Sequence, residues 1–164
     1  MPTNLYGPGD NYHSENSHVI PGLLRRFHEA KIKSKPKVIV WGTGRVRREF
    51  LHVDDLADAA TYVMNLKKNI YIKNTKPMLN FINVGSGWDL SIKELAKIIK
   101  EIVGYNGLIE FDIKKPDGVP RKLLDSTCLN KIGWKSKIDL RVGLDKTYKD
   151  FKNLNVCIFE FGFA

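Results

Sequence analysis

The apolar positions of this chain change period several times, and each change predicts an element. Ile20, Leu23, Leu24 and Phe27 recur at i, i+3, i+4 and i+7, which places them on one face of a helix that starts near His18 or Pro21. Pro21 suits a first helical turn, where its missing N–H costs nothing. Residues 1–4 read as a strand end, followed by a loop punctuated by Gly7, Pro8 and Gly9. The run Val38, Ile39, Val40, Trp41 predicts a short buried strand, turned at Gly42, Thr43 and Gly44. Residues 48–53 predict a second strand. Asp54 then reads as an N-cap, and Leu56, Ala59, Ala60 and Val63 as the buried face of the helix behind it.

Further along, residues 69–79 read as a polar connection and 80–84 as a strand ending at Gly85, Ser86 and Gly87. Ser91 and Glu94 have capping-box spacing. The helix they open buries Ile92, Leu95, Ile99 and Ile102 and stops at Gly104. Residues 108–112 predict a strand, 115–122 a loop holding two prolines, and 129–134 a short helix closed by Gly133. Residues 140–154 contain a last amphipathic helix, with Val142, Leu144, Tyr148 and Phe151 facing the core. Strands alternating with helices predict an α/β fold with short sheets and no complete doubly wound sheet.

Composition narrows the class. The chain has 164 residues, 43% of them apolar, enough for one domain with a core of its own. No run approaches the roughly 18 apolar residues of a membrane span. The N-terminus lacks the charged and apolar regions of a secretory leader, and the two cysteines, Cys128 and Cys157, have no metal-ligand spacing. These features predict a cytoplasmic protein with reduced thiols and no membrane partner. The net charge is +9, but the lysines are scattered over polar positions and no nucleic-acid motif accompanies them, so nucleic acid is not an expected partner.

Three groups of residues carry candidate chemistry. His18 and Arg26 are eight residues apart, so they return to one side of a helix, opposite the apolar face. Arg offers a planar fork to phosphate oxygens. Trp41 precedes a glycine turn and Arg48 follows it, an indole for stacking and a guanidinium for a pyrophosphate. The loop 115–122 concentrates Lys115, Asp117, Arg121 and Lys122, a carboxylate among cations that suits ribose hydroxyls and phosphate. On spacing alone, each group reads equally as a solvated surface. Neither Gly42-Thr43-Gly44 nor Gly85-Ser86-Gly87 has the spacing of a dinucleotide fingerprint. No His or Cys set has metal-ligand spacing. A catalytic Tyr–Lys pair at helical spacing is not expected anywhere in the chain.

The segments PTNLYGP (2–8), NSHVIPGLLRRFHEA (16–30), REFLHVDD (48–55) and KPDGVPRKLLD (115–125), in this order, resemble the GDP-L-fucose synthase family of extended short-chain dehydrogenase/reductases. The first and third also occur in other extended reductases and epimerases; the second and fourth together are more specific. The resemblance implies the C-terminal part of an extended Rossmann-type reductase, mainly its substrate-binding domain. Residues 1–154 would be the sugar-nucleotide-binding portion, with an N-terminal Rossmann half outside this sequence, and 155–164 a divergent tail, one form of which is an added strand.

The same resemblance implies roles. Pro2, Thr3, Asn4 and Leu5 would pass the nicotinamide end of NADP(H), with His18 beside it as the acid of a 3,5-epimerisation. Arg26, Trp41, Arg48, Asp117 and Lys122 would contact a GDP-sugar, and the full-length family implies a homodimer. The family's cysteine base and its Ser–Tyr–Lys set would lie in the N-terminal half, so this chain alone is expected to be inactive. A non-catalytic GDP-sugar-binding subunit, or part of another nucleotide-sugar epimerase or reductase, are the alternatives. Arg45-Val46 departs from the family's usual small residue and proline at that turn.

Overall fold

The computed structural model describes residues 1–161, with side chains described through Leu154. The elements in chain order are β1 (Asn4–Tyr6), α1 (Val19–Ile32), β2 (Lys37–Trp41), β3 (Arg47–Arg48), β4 (Phe50–His52), α2 (Val53–Met64), α3 (Lys68–Asn74), β5 (Leu90–Ser91), α4 (Ile92–Val103), β6 (Leu108–Asp112), β7 (Arg121–Lys122), α5 (Thr127–Lys131) and α6 (Leu140–Phe161). The strands form three small sheets: β1 parallel to β4, β2 parallel to β6, and a third in the order β5-β3-β7. This is the α/β arrangement with short sheets that the alternating pattern predicts.

The main core lies where α1, α4 and α6 meet β2. Leu24, Phe27, Leu95, Ile99 and Leu144 are fully buried there. α4 holds its place by local chemistry. Ser91 accepts from the Glu94 amide and the Glu94 carboxylate accepts from the Ser91 amide, closing the capping box, while Gly104 ends the helix at φ 69°, the left-handed conformation that glycine adopts without a Cβ penalty. Its buried stripe is Ile92, Leu95, Ala96, Ile99 and Val103, so Val103 takes the place expected of Ile102. A second, smaller core joins Leu51, Ala59, Ile82, Val84, Leu129 and Trp134.

Several expectations are corrected. The predicted strand 48–53 is two strands in different sheets, β3 and β4, and the break between them falls on Glu49. The N-cap of α2 is His52, not Asp54: its imidazole Nδ1 accepts from the Asp54 amide at 3.2 Å. In α2, Ala60 is exposed and Asp55 is buried instead, because its carboxylate accepts from the amides of Lys137 and Ile138 and ties α2 to the start of α6. β2 is half-buried in alternation, with Ile39 and Trp41 outward. Residues 69–79 hold the short helix α3. The expected strand 80–84 is reduced to one bridge between Pro2 and Val84. Val142 is exposed, while Leu144, Tyr148 and Phe151 pack in the core as expected. The tail is helical through Phe161 as a continuation of α6, so it is not a strand there; Gly162 to Ala164 and the Cys157 side chain lie outside the described residues. No described helix is long and apolar enough to cross a membrane.

Candidate functional site

A cleft of about 830 Å³ opens between the β1 loop, the first half of α1, the end of β2 and β3. The folding of each wall follows from sequence features already named. The apolar face of α1, centred on Leu24 and Phe27, packs into the core and turns its opposite side to the cleft. His18, the extended N-cap residue of α1, and Arg26, two turns later, therefore both line it. β2 delivers Trp41 at its outward end, 57% exposed. The Arg26 guanidinium lies 5.2 Å from the centre of the Trp41 ring, and the Lys115 ammonium lies 5.3 Å from the same ring. Cations at this distance are attracted by the ring's negative face. Burial pulls the pKa of Arg26 down from its ordinary value, yet an arginine stays cationic at neutral pH.

Thr3, Asn4, Leu5, His18, Arg26, Trp41, Arg48 and Asp117 all line this one cleft. Pro2 and Lys122 do not. Pro2 sits in the bridge to Val84. Lys122 is exposed on β7, in register beside Arg48 on β3. Asp117 reaches the cleft with both carboxylate oxygens engaged: Oδ1 accepts from the Thr43 amide and Oδ2 from the Thr43 hydroxyl, each at 2.7 Å. These bonds hold its pKa below the usual carboxylate range. Asp117 thus braces the loop 113–120 against the glycine turn while lining the cleft. The departing turn residue Val46 also lines the cleft, and its carbonyl accepts from the Ile92 amide.

Two carboxylates that the sequence reading passed over organise these walls. Glu49 is fully buried. Its Oε1 accepts from the Gly87 amide at 2.8 Å and its Oε2 from the Leu124 amide at 3.0 Å. Its backbone carbonyl accepts from Asn4 Nδ2 at 2.8 Å and from the Thr3 hydroxyl at 3.3 Å. One residue thus joins the β1 wall, the 85–87 turn and the segment just after β7. Asp89, its side chain 3% exposed, is clasped by Arg47 and Arg121, whose hydrogen bonds hold its pKa low. That clasp ties β7 to β3. The signal for Glu49 was faint: an acid directly before the apolar pair Phe50-Leu51.

The glycine turns are filled, not open. A Cβ at Gly44 would collide with the Phe111 ring and one at Gly85 with the Glu49 carboxylate. Neither turn cradles a phosphate. The chain does hold one Tyr–Lys pair at helical spacing, Tyr148 and Lys152 on α6, contrary to expectation. Neither residue lines the cleft. The Tyr148 hydroxyl pairs with His28 Nδ1 at 2.9 Å, Lys152 lies over the ring face, and burial raises the tyrosine pKa. With its hydroxyl engaged by His28 and both residues away from the cleft, the pair serves packing here.

His52 sets a pH dependence. It is buried, its Nδ1 accepts from the Asp54 amide, and its Nε2 has no hydrogen-bond partner among the described residues. Burial first, and then Lys146, lowers its pKa against the opposing pull of Asp54 and Asp55. The half-buried His28 is lowered in the same way. A folded value below the unfolded one means that the unfolded chain binds the proton more readily. The resulting stability is complete above the unfolded value of about 6.5 and drains away as the pH falls from there through the lowered folded value. The urea midpoint will therefore be lower at pH 5.5 than at pH 7.5, and His52→Gln will flatten that difference. An equal midpoint at both pH values would contradict this account.

Comparison with known proteins places this geometry in a family. Residues 1–75 match the NAD dependent epimerase/dehydratase family. Over 151 residues the chain is 58% identical to the GDP-L-fucose synthase of Escherichia coli K12, covering 92% of this chain and 47% of that protein. It is 52% identical over 157 residues to GDP-L-fucose synthase 1 of Arabidopsis thaliana, covering 96% of this chain and 46% of that one. Among solved structures it superposes with a TM-score of 0.84 on a GDP-D-glycero-L-gluco-heptose synthase from Campylobacter jejuni crystallised in the presence of NADPH, at 38% identity over 92% of this chain and 52% of that one. The chain spans about half the length of the curated relatives it matches. By sequence, residues 1–75 belong to the NAD dependent epimerase/dehydratase family, and over nine-tenths of its own length the chain is similar, in sequence and in fold, to part of enzymes such as a GDP-L-fucose synthase.

Proposed function

We propose that this chain is the sugar-nucleotide-binding part of a GDP-L-fucose synthase, the NADPH-dependent 3,5-epimerase and 4-reductase that turns GDP-4-dehydro-6-deoxy-D-mannose into GDP-L-fucose. The observation that carries the reading is the single cleft shared by Asn4, His18, Arg26, Trp41 and Arg48. Arg26 and Arg48 supply two guanidinium forks, and neither has a carboxylate within ion-pair distance among the described residues. A diphosphate satisfies both. Trp41 flanks the nucleotide, and Lys122, on the strand beside Arg48, extends the positive rim.

His18 stands at the N-terminus of α1 with an exposed imidazole and no capping bond. In this reading it returns a proton to the sugar carbons during epimerisation, as a positioned general acid. Residues 3–5 form the adjacent wall, with the Thr3 and Asn4 side chains hydrogen-bonded to the Glu49 carbonyl. That edge fits the nicotinamide end of NADP(H). When bound, the dinucleotide supplies the hydride for the 4-keto group. The chain's own contribution is to bind the diphosphate, orient the sugar and hold the proton at His18.

No Tyr–Lys pair lines the cleft, so binding without turnover is the expected behaviour of this chain. Calorimetric titration with GDP-mannose will show weak binding, in the range of about 0.1–1 mM. UDP-glucose will bind more weakly, and NADPH will not be oxidised when the 4-keto sugar nucleotide is added. Failure to bind GDP-mannose would overturn the reading. Equal binding of UDP-glucose would shift it to another nucleotide-sugar enzyme.

A further inference from the structure

Lys115 stands beside the cleft-lining Pro116 and Asp117 without lining the cleft itself, yet it is held over the indole that Arg26 also faces. Its loop cannot swing freely. Asp117, two residues on, is bonded twice to Thr43, and the Lys115 amide donates to the Asp112 carbonyl at 3.1 Å. No carboxylate lies within ion-pair distance of Lys115 among the described residues, nor of Arg26. Asp10 and Glu15 line the cleft, but neither pairs with these two cations. Two like charges brought to one aromatic ring repel each other, and an anion shared between them relieves that repulsion.

Resting on the GDP-sugar reading of this cleft, we propose that Lys115 is a specificity-determining residue for that site: with Arg26 it forms a two-cation clamp, seated on Trp41, that selects a nucleoside diphosphate over a monophosphate or a free nucleoside. Trp41 then acts as the platform that positions the cations and not only as a stacking partner for a base. The loop brace between Asp117 and Thr43 sets where the ammonium stands. Two linked phosphates offer more anionic oxygens to the pair of cations than a single phosphate does. The preference therefore rests on the pair of charges and not on contacts with the base.

The experiment is a calorimetric titration of the 164-residue chain and three variants with GDP, GMP and guanosine at two salt concentrations. Lys115→Gln is expected to weaken GDP about tenfold, to change GMP much less and guanosine not at all, and to reduce the salt dependence of GDP binding. Lys115→Arg, which keeps both the charge and the ring contact, will restore most of the GDP affinity. Lys114→Gln, a charge loss in the same loop, will leave all three ligands unchanged. Unaltered GDP binding in Lys115→Gln overturns the clamp, and so does an equal loss in Lys114→Gln, which would reduce the effect to net charge. If the unaltered chain binds no GDP at all, the GDP-sugar reading itself has failed, a result distinct from either.

Discussion

Replacing Glu49 by glutamine will destabilise this chain by about 2–4 kcal/mol, although the two side chains have nearly the same shape. The carboxylate is fully buried and accepts from the Gly87 and Leu124 amides with opposite oxygens. Glutamine turns one of those acceptors into an NH2 group, so one buried amide meets a donor and loses its partner. The effect will not stay local. The main chain of Glu49 receives Asn4 and Thr3, and its neighbour Arg48 lines the cleft. A shift of the strand at this point moves both walls, so GDP affinity will fall along with stability. Urea denaturation measures the first effect and calorimetry the second. A midpoint equal to that of the unaltered chain would show that the buried carboxylate does not hold these segments together.

Phe27→Ala will cost more, about 3–5 kcal/mol. The ring is fully buried in the main core and meets Tyr105 at 5.6 Å between centroids. Its removal takes away apolar contact and leaves a cavity that helix packing fills only in part. A loss of that size is a large share of the roughly 5–15 kcal/mol that stabilises an ordinary domain. α1 presents His18 and Arg26 on the side opposite Phe27, so a loosened helix also blurs the cleft. The expected result is a strongly lowered urea midpoint and weaker GDP binding at temperatures where the variant is still folded. Leu24, equally buried one turn away, shares this load. A change below about 1 kcal/mol on Phe27→Ala would mean that the α1 contact is not what anchors the cleft wall.

The amino-acid sequence by itself determined those parts of the molecule whose physics is local. The capping box at Ser91 and Glu94, the glycine stop at Gly104, the 3.6-residue stripe of α1 and the strand at Leu108–Asp112 depend on neighbours a few residues away, so spacing alone reveals them. The motifs carrying the family resemblance are also local strings. Placing His18 and Arg26 on one side of a helix followed from helical geometry, and both line the cleft.

What only the tertiary structure decided depends on partners far along the chain. Glu49 breaks one predicted strand into two because its carboxylate is satisfied by Gly87 and Leu124. His52 rather than Asp54 caps α2, and Asp55 is buried because distant amides of Lys137 and Ile138 come to it. Asp117 became a brace because Thr43 is there to bond it. Residues 80–84 had the composition of a strand but found a single bridge at Pro2, since a strand forms only where a partner edge is presented. Tyr148 and Lys152 had the spacing of a catalytic pair, yet the fold set them against His28 and away from the cleft. Periodicity and capping are written over a few residues and survive any fold, whereas the partner of a buried charge is settled only when segments remote in sequence are brought within hydrogen-bond reach.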